Sequence, residues 1–250
     1  MEWQVHVPLR QTASNHITYN IFNKLRGLKE FQDVGLTFTT GKIQWDLYSD
    51  ELSAKQTSKS TRLIWAENIQ RYFIGEVKNR GDKLFINARL QNCEPINTDT
   101  IIVQRVTAVE QPWRIIATIV SPKQFGNPIQ AENHTSYLET NQNKVDLRLI
   151  LGLMNSSLMD FIFRHTNSNT QVSAGELNEL PFPNRQEALE PRIIHLVDRI
   201  LAAKRADVHA DTRELEREID ELVYGLYGLT AEEIGVVEGG RRLDHETHER

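Results

Sequence analysis

Side chains that can form hydrogen bonds with nucleic-acid bases are concentrated in residues 65–72, which read WAENIQRY. The amides of Asn68 and Gln70 can pair with the edge of adenine, and the guanidinium of Arg71 can bind guanine or a phosphate. Another cation, Lys42, follows a glycine in a predicted turn. For each residue alone, a position in a solvated loop explains the residue type equally well. The predicted base-reading residues are Lys42, Asn68, Gln70 and Arg71.

Five further cations suit contacts with a phosphate backbone. Lys78, Arg80 and Lys83 surround a turn in the sequence NRGD, where the tip of a loop can approach phosphates. Arg105 and Arg114 lie near the ends of predicted strands whose other face is apolar. Such a position suits either a phosphate clamp or an arginine that caps the sheet. The predicted phosphate-binding residues are Lys78, Arg80, Lys83, Arg105 and Arg114.

One alternative is metal-dependent cleavage of DNA. Glu76 and Lys78 have the E-x-K spacing in which a carboxylate binds Mg²⁺ and a lysine lies near the attacking water. Asp46 or Asp50 could supply the second carboxylate that such a site requires. The same residues also suit an exposed edge strand with a solvated ion pair, so the pattern leaves both interpretations open.

Composition and motif content argue against several other classes of protein. The 250 residues are 39% hydrophobic, which suits one large or two small cores and argues against a disordered chain. A single cysteine, Cys93, cannot form an internal disulfide, and no run reaches the roughly 20 apolar residues that span a bilayer. Glycine-rich cofactor loops, a nucleophile elbow and a zinc-site spacing are missing from the sequence. We therefore expect a cytoplasmic protein without membrane contact and without a catalytic, cofactor or metal site of its own.

Charge is divided unevenly along the chain. The formal net charge of −5 averages a first part with a small basic excess and a second part that is strongly acidic. Residues 1–150 hold 18 basic and 15 acidic side chains, whereas residues 151–250 hold 11 and 19. Because binding to phosphates depends on clustered lysine and arginine, the first part is predicted to contact nucleic acid.

Short strands separated by turns are predicted to position these side chains. Alternating or β-branched runs indicate strands at residues 35–40, 84–86, 101–103 and 115–120. One early helix is indicated over residues 18–29, where apolar side chains recur at helical spacing. The first part of the chain therefore reads as mostly strand.

The second part has the periodicity of helices. Apolar residues at three- and four-residue steps predict one amphipathic helix over residues 145–163. Two prolines in the sequence LPFP interrupt the pattern, and charged helices are predicted over residues 188–205 and 212–226. The predicted fold class is α+β, with a mixed, mostly antiparallel sheet and flanking helices in residues 1–183, a helical segment in residues 184–237 and a disordered tail in residues 238–250.

Six short motifs follow one another along the chain. They are TGKIQW (40–45), QRVTA (104–108), ENH (132–134), LMNSSL (153–158), GELNELPFP (175–183) and IDELVYGLYGLT (219–230). In this order they resemble the C-terminal part of adenine-specific DNA methyltransferases of restriction–modification systems. That part is a TaqI-like target-recognition domain followed by a helical tail, and the likeness covers about residues 36–237.

Two motifs of such methyltransferases are missing from this sequence. Neither the glycine-rich cofactor motif nor the catalytic Asn-Pro-Pro-Tyr, whose side chains hold the flipped adenine, occurs in it. The resemblance therefore implies recognition of double-stranded DNA by the specificity part of the enzyme. Methyl transfer and the binding of S-adenosylmethionine would belong to a partner catalytic domain, onto which the acidic helices would dock. A protein-interaction module without affinity for DNA is the other alternative.

Overall fold

The computed structural model describes residues 13–76, 83–87, 94–107, 111–126, 128–167 and 170–246. The α-helices in these ranges are α1 (Ala13–Leu25), α2 (Leu147–Met154), α3 (Ser157–Thr166), α4 (Ala174–Asn178), α5 (Glu190–Ala206), α6 (Arg213–Leu226) and α7 (Ala231–Glu246). The strands are β1 (Lys29–Glu30), β2 (Leu36–Thr40), β3 (Leu52–Ser53), β4 (Ser60–Ile64), β5 (Ile69–Gln70), β6 (Phe73–Ile74), β7 (Phe85–Asn87), β8 (Thr100–Gln104), β9 (Ala117–Val120), β10 (Ile129–Ala131), β11 (Thr135–Asn141) and β12 (Pro181–Phe182).

The first sheet has four strands in the order β2, β11, β8, β9, and all neighbouring strands are antiparallel. In β2 the alternating side chains of Leu36 and Phe38 are buried, whereas Thr37 between them is half-buried. This alternation gives the strand one face toward the core. Helix α2 packs against β8 and β9, and the main hydrophobic core lies between this sheet and the helices.

The second sheet is smaller and has the order β10, β4, β7, β3. Its β10 and β4 strands run parallel, and the other two pairs are antiparallel. A separate apolar cluster that includes Ile43, Leu63 and Trp65 lies against this sheet. The two sheets meet where Ile43 forms a bridge with Glu132, between the end of β2 and the start of β11.

The single helix predicted over residues 145–163 is wrong, because the chain forms α2 and α3 with a break at Asn155 and Ser156. The Asn155 side chain exchanges two hydrogen bonds with the backbone of Ala117 in β9, with distances of 3.1 and 3.0 Å. Ser156 caps the start of α3 by accepting a hydrogen bond from the backbone N–H of Met159. Asn and Ser therefore end one helix and begin the next, as their competition with helical hydrogen bonds favours.

Helices α5 and α6 share the main core with the sheet. α5 packs on both α2 and α6, and Gly152 in α2 allows the close approach, since a Cβ there would lie 2.7 Å from Cγ2 of Ile193. β12, which lies in the LPFP segment, pairs with β1, the first strand of the described chain. One hydrophobic core therefore includes residues on both sides of residue 183.

Two element boundaries differ from those predicted. α1 covers Ala13–Leu25 rather than residues 18–29, because the chain turns at Arg26 and Gly27. Helix α7 continues to Glu246, through residues predicted to be disordered. Thr230 and Glu233 cap the start of α7 reciprocally, which supplies the nucleus from which this charged helix extends. The predicted fold class, α+β with a mixed, mostly antiparallel sheet, is confirmed.

Candidate nucleic-acid interface

A tight backbone contact joins the loop after β2 to the turn at residues 132–134. The N–H of Gly41 donates to the carbonyl of Thr135 at 2.9 Å, and the N–H of Asn133 donates to the carbonyl of Ile43 at 2.9 Å. A Cβ on Gly41 would lie 2.1 Å from the carbonyl oxygen of Glu132. The loop and the turn are thus in direct contact, and only glycine fits at residue 41.

Arg105, one of the predicted phosphate-binding residues, lies beside the same turn at the end of β8. Its backbone N–H donates to the carbonyl of His134, and its Nη1 donates to the carbonyl of Asn133 at 3.0 Å. Its Nη2 donates to Oε1 of Gln171 at 3.1 Å, which orients the guanidinium from the opposite side. The half-buried guanidinium is therefore fixed against the turn.

One predicted lysine belongs to the loop that begins at Gly41, and another contacts that loop. The side chain of Lys42, in the loop, is 40% exposed, with its Nζ 3.8 Å from Oε1 of Glu139. Lys83 precedes β7, and its Nζ lies 4.4 Å from the centre of the ring of Trp45 in the loop. The indole N–H of Trp65 donates to the carbonyl of Lys83 and fixes the backbone there. Arg105 and His134 lie at the turn, and Lys42 and Lys83 lie on and against the loop that packs on this turn. We call Lys42, Lys83, Arg105 and His134 the junction surface.

His134 was not among the predicted binding residues, although the motif ENH contains it. Glu132 is 1% exposed, and its carboxylate accepts from both the backbone N–H and the Nδ1 of His134, at 3.1 and 2.5 Å. The His134 side chain is 44% exposed, so one edge of its ring reaches solvent. A glutamate two residues before a histidine was the only sequence signal for this pair.

The predicted base-reading role of Asn68 is corrected by its burial. Asn68 is 0% exposed, and its Oδ1 accepts from the backbone N–H of Trp65 while its Nδ2 donates to the carbonyl of Gly75. An amide whose two polar atoms bind the protein backbone inside the fold is not available to a base. Asn68 instead holds the turn before β5 to the backbone of Gly75, just after β6.

Replacing Asn68 by alanine is therefore expected to lower the free energy of unfolding by about 2 kcal/mol, since two buried backbone groups lose their partners. Urea unfolding measures this change. The matched control is Gln70→Ala, whose exposed side chain donates only a 3.3 Å bond to the carbonyl of Glu67. Equal stability of the two variants would contradict the structural role of Asn68.

Arg71 is also placed differently from its predicted base-reading position. Its guanidinium carbon lies 3.6 Å from the centre of the Trp113 ring, and its Nη2 lies 2.5 Å from Oε2 of Glu216 in α6. Burial alone would lower the pKa of Arg71, but Glu216, together with Tyr72 and Asp220, outweighs burial and raises it. Arg71 therefore stays charged and links the β5–β6 hairpin to α6. Gln70 beside it is exposed and lines a cavity of about 570 Å³ between the hairpin and α6.

The predicted phosphate contact of Arg114 is corrected as well. Arg114 is 1% exposed, its Nε donates to Oγ1 of Thr107, and its guanidinium lies over the ring of Phe163. Its backbone N–H donates to Oδ1 of Asp160 at 2.6 Å. A side chain held in this way cannot reach a phosphate. Lys78 and Arg80 lie outside the described residues.

The described residues do not form the alternative metal site. Glu76 is exposed, Lys78 lies outside the described residues, and Asp46 and Asp50 are both exposed. Within the described ranges, no group of three or more His, Cys, Asp or Glu side chains is placed to hold a metal ion. In the same ranges, none of the helices combines the length and the apolar character needed to cross a bilayer.

Sequence comparison relates this chain to methyltransferases. It is 30% identical over 183 residues to the Type II methyltransferase M.PstI of Providencia stuartii, which covers 70% of this chain and 36% of that protein. It is 31% identical over 93 residues to the Type II methyltransferase M.BsuBI of Bacillus subtilis, covering 36% of this chain and 19% of that protein. The chain thus spans about a third or less of these relatives, and no family model matches it. The resemblance to restriction–modification methyltransferases drawn from the order of the motifs is confirmed.

Solved structures of type I restriction–modification proteins were also matched. The S subunit from M. genitalium has a TM-score of 0.42 and 14% identity, over 85% of this chain and 52% of that one. The HsdS subunit from Thermoanaerobacter tengcongensis has a TM-score of 0.41 and 12% identity, over 86% of this chain and 52% of that one.

Proposed function

We propose that this chain recognises double-stranded DNA as the specificity part of an adenine-specific methyltransferase of a restriction–modification system. The observation that carries the proposal is the junction surface, where Arg105 binds the turn at residues 132–134 and the loop packed on that turn contains Lys42 and, at Trp45, contacts Lys83. The sequence relationship to Type II methyltransferases supplies the biological setting. In this proposal Lys42 and the exposed Gln70 read bases, while Lys83 and Arg105 bind phosphates and set the register.

The proposal assigns methyl transfer to a catalytic domain outside these 250 residues. A chain that spans 36% of M.PstI and lacks the Asn-Pro-Pro-Tyr and glycine-rich motifs suits the recognition part of a longer or two-part enzyme. The partner domain would bind S-adenosylmethionine and hold the flipped adenine. Reconstituting the chain with such a domain and following labelled methyl groups into adenine of duplex DNA tests this division, and transfer that does not need the chain would contradict it.

Replacing Lys83 by alanine is expected to weaken binding to duplex DNA and to reduce the slope of log K against log[salt] by about 0.9, the value for one lost phosphate contact. The slope is measured by fluorescence anisotropy across a salt series. The matched control is Arg192→Ala, which removes an exposed cation of α5 away from the junction surface and should leave the slope unchanged.

Three results would contradict the proposed DNA contact. They are an unchanged slope in the Lys83→Ala variant, affinity that does not depend on salt, and a lack of affinity for any duplex at low salt. The last result would instead favour the protein-interaction module. Cleavage of the duplex on addition of Mg²⁺, lost in a Glu76→Ala variant, would favour the nuclease.

A further inference from the structure

The Glu132–His134 pair is unusual because its carboxylate is inside the protein while its imidazole is at the surface. Glu132 is 1% exposed, and the His134 side chain is 44% exposed. A buried carboxylate is costly unless it is hydrogen-bonded and paired. Both oxygens of Glu132 accept from His134, one from the backbone N–H and one from Nδ1. The histidine is thus the partner that compensates the burial of this carboxylate.

The carboxylate also decides which ring nitrogen carries a proton. An ionised carboxylate only accepts hydrogen bonds, so the Nδ1 that lies 2.5 Å from Oε1 of Glu132 must be the donor. The other nitrogen, Nε2, makes no hydrogen bond within the described part of the chain. When the ring is protonated, this Nε2 carries an N–H that can donate to an anion.

The groups around the ring favour an anion over a cation as its ligand. Arg105 binds the carbonyls of Asn133 and His134 from the end of β8, and Lys42 follows the glycine that packs on the carbonyl of Glu132. Gln171, whose side chain accepts a hydrogen bond from Arg105, is neutral. The charged groups at this turn are therefore the guanidinium of Arg105, the imidazole, and the buried carboxylate that the imidazole already binds, while the Nζ of Lys42 lies 3.8 Å from Oε1 of Glu139.

We propose that His134 binds a backbone phosphate of DNA through Nε2, with Glu132 as the residue that positions the ring. This inference rests on the proposed function and adds to it a contact that depends on protonation. A protonated ring gives the protein one more ionic phosphate contact, and acidic solution favours that protonated form over the neutral one.

The test measures the salt dependence of binding at two pH values. The probe is a mixed-sequence duplex about three helical turns long, bound by the full chain at about pH 6 and about pH 8. For the unsubstituted protein, the slope of log K against log[salt] should be steeper at pH 6 by up to about 0.9. Affinity at low salt should rise by about three- to tenfold over the same interval.

Two substitutions separate the charge of His134 from its shape. His134→Gln should give the same slope at both pH values, at the level that the unsubstituted protein shows at pH 8. His134→Lys carries a permanent charge and should give the steeper slope at both. His195→Gln, which changes an exposed histidine of α5, is the matched control and should keep the pH difference of the unsubstituted protein.

The double variant Glu132→Gln with His134→Gln guards against misfolding, since it does not leave a buried carboxylate without its partner. It should bind DNA as His134→Gln does. A pH difference in slope that persists in both the single and the double variant would overturn the role of His134 while leaving the proposed function intact. Failure of the unsubstituted protein to bind the duplex at either pH would overturn both.

Discussion

Replacing Gly41 by alanine is expected to lower the free energy of unfolding by about 3–5 kcal/mol. The added Cβ would lie 2.1 Å from the carbonyl oxygen of Glu132 and 2.7 Å from that of Ala131. Both atoms belong to the backbone, so the clash cannot be relieved by rotating a side chain. Overpacking of this kind costs about 1–3 kcal/mol, and separating the strands also weakens the hydrogen bonds from Gly41 and Ile43, at about 1 kcal/mol each.

The same substitution should weaken DNA binding more than the removal of any single cation. Lys42, Arg105 and His134 are positioned by the contact between the loop and the turn, so moving the loop displaces all three together. Urea unfolding and the salt series described above measure the two effects.

Gly27→Ala is the matched control for this substitution. A Cβ at Gly27 meets nothing within 4 Å, and the residue lies in an exposed turn, so its stability should change by less than about 0.5 kcal/mol. If Gly41→Ala were as stable as Gly27→Ala, the turn could move freely, and the fixed geometry assigned to the junction surface would be wrong.

Periodicity predicted the elements that bury one regular face. α6 begins one residue after the predicted start and ends at the predicted Leu226, and β8 extends the predicted run by one residue at each end. In α6 the buried Ile219, Leu222 and Val223 recur at the spacing that carries this signal. The break between α2 and α3 escaped the same reasoning, because apolar spacing continues across it while the polar bonds of Asn155 reach a strand 38 residues away.

The sequence supplied the residue types suited to a DNA-binding site but did not show which of those residues are buried. Lys42, Lys83 and Arg105 were chosen as cations in loops or near strand ends, and their side chains lie beside Glu139, Trp45 and Asn133, respectively. Arg71 and Arg114 were chosen on the same grounds but are held by partners that composition does not reveal. Glu216, which pairs with Arg71, is 145 residues away, and Phe163, over whose ring the guanidinium of Arg114 lies, belongs to α3. Whether an arginine faces solvent depends on such distant partners, so its local sequence does not decide between a structural and a binding role.

Arg71 and Glu216 form a mostly buried ion pair outside the junction surface that links the β5–β6 hairpin to α6. Arg71→Ala and Glu216→Ala are each expected to lower the free energy of unfolding by about 2–4 kcal/mol, since each leaves one charge mostly buried without its partner. The side chains are 14% and 22% exposed, so solvent screens the pair only weakly. Arg71→Ala also removes the stacking of the guanidinium on Trp113, whereas Glu216→Ala keeps it, so Arg71→Ala should be the less stable variant.

A double-mutant cycle separates this ion pair from the packing around it. The variant with both alanines should lose less stability than the two single losses added together, by about 1–3 kcal/mol, because neither charge is then left alone. Arg213→Ala removes a fully exposed partner of Asp211 one turn earlier in α6 and should leave stability unchanged. Additive single losses would mean that Arg71 acts through its stacking on Trp113 alone. In that case apolar contact, and not charge, would link the β5–β6 hairpin to α6. Raising the salt concentration would then change the stability neither of the unsubstituted protein nor of Glu216→Ala.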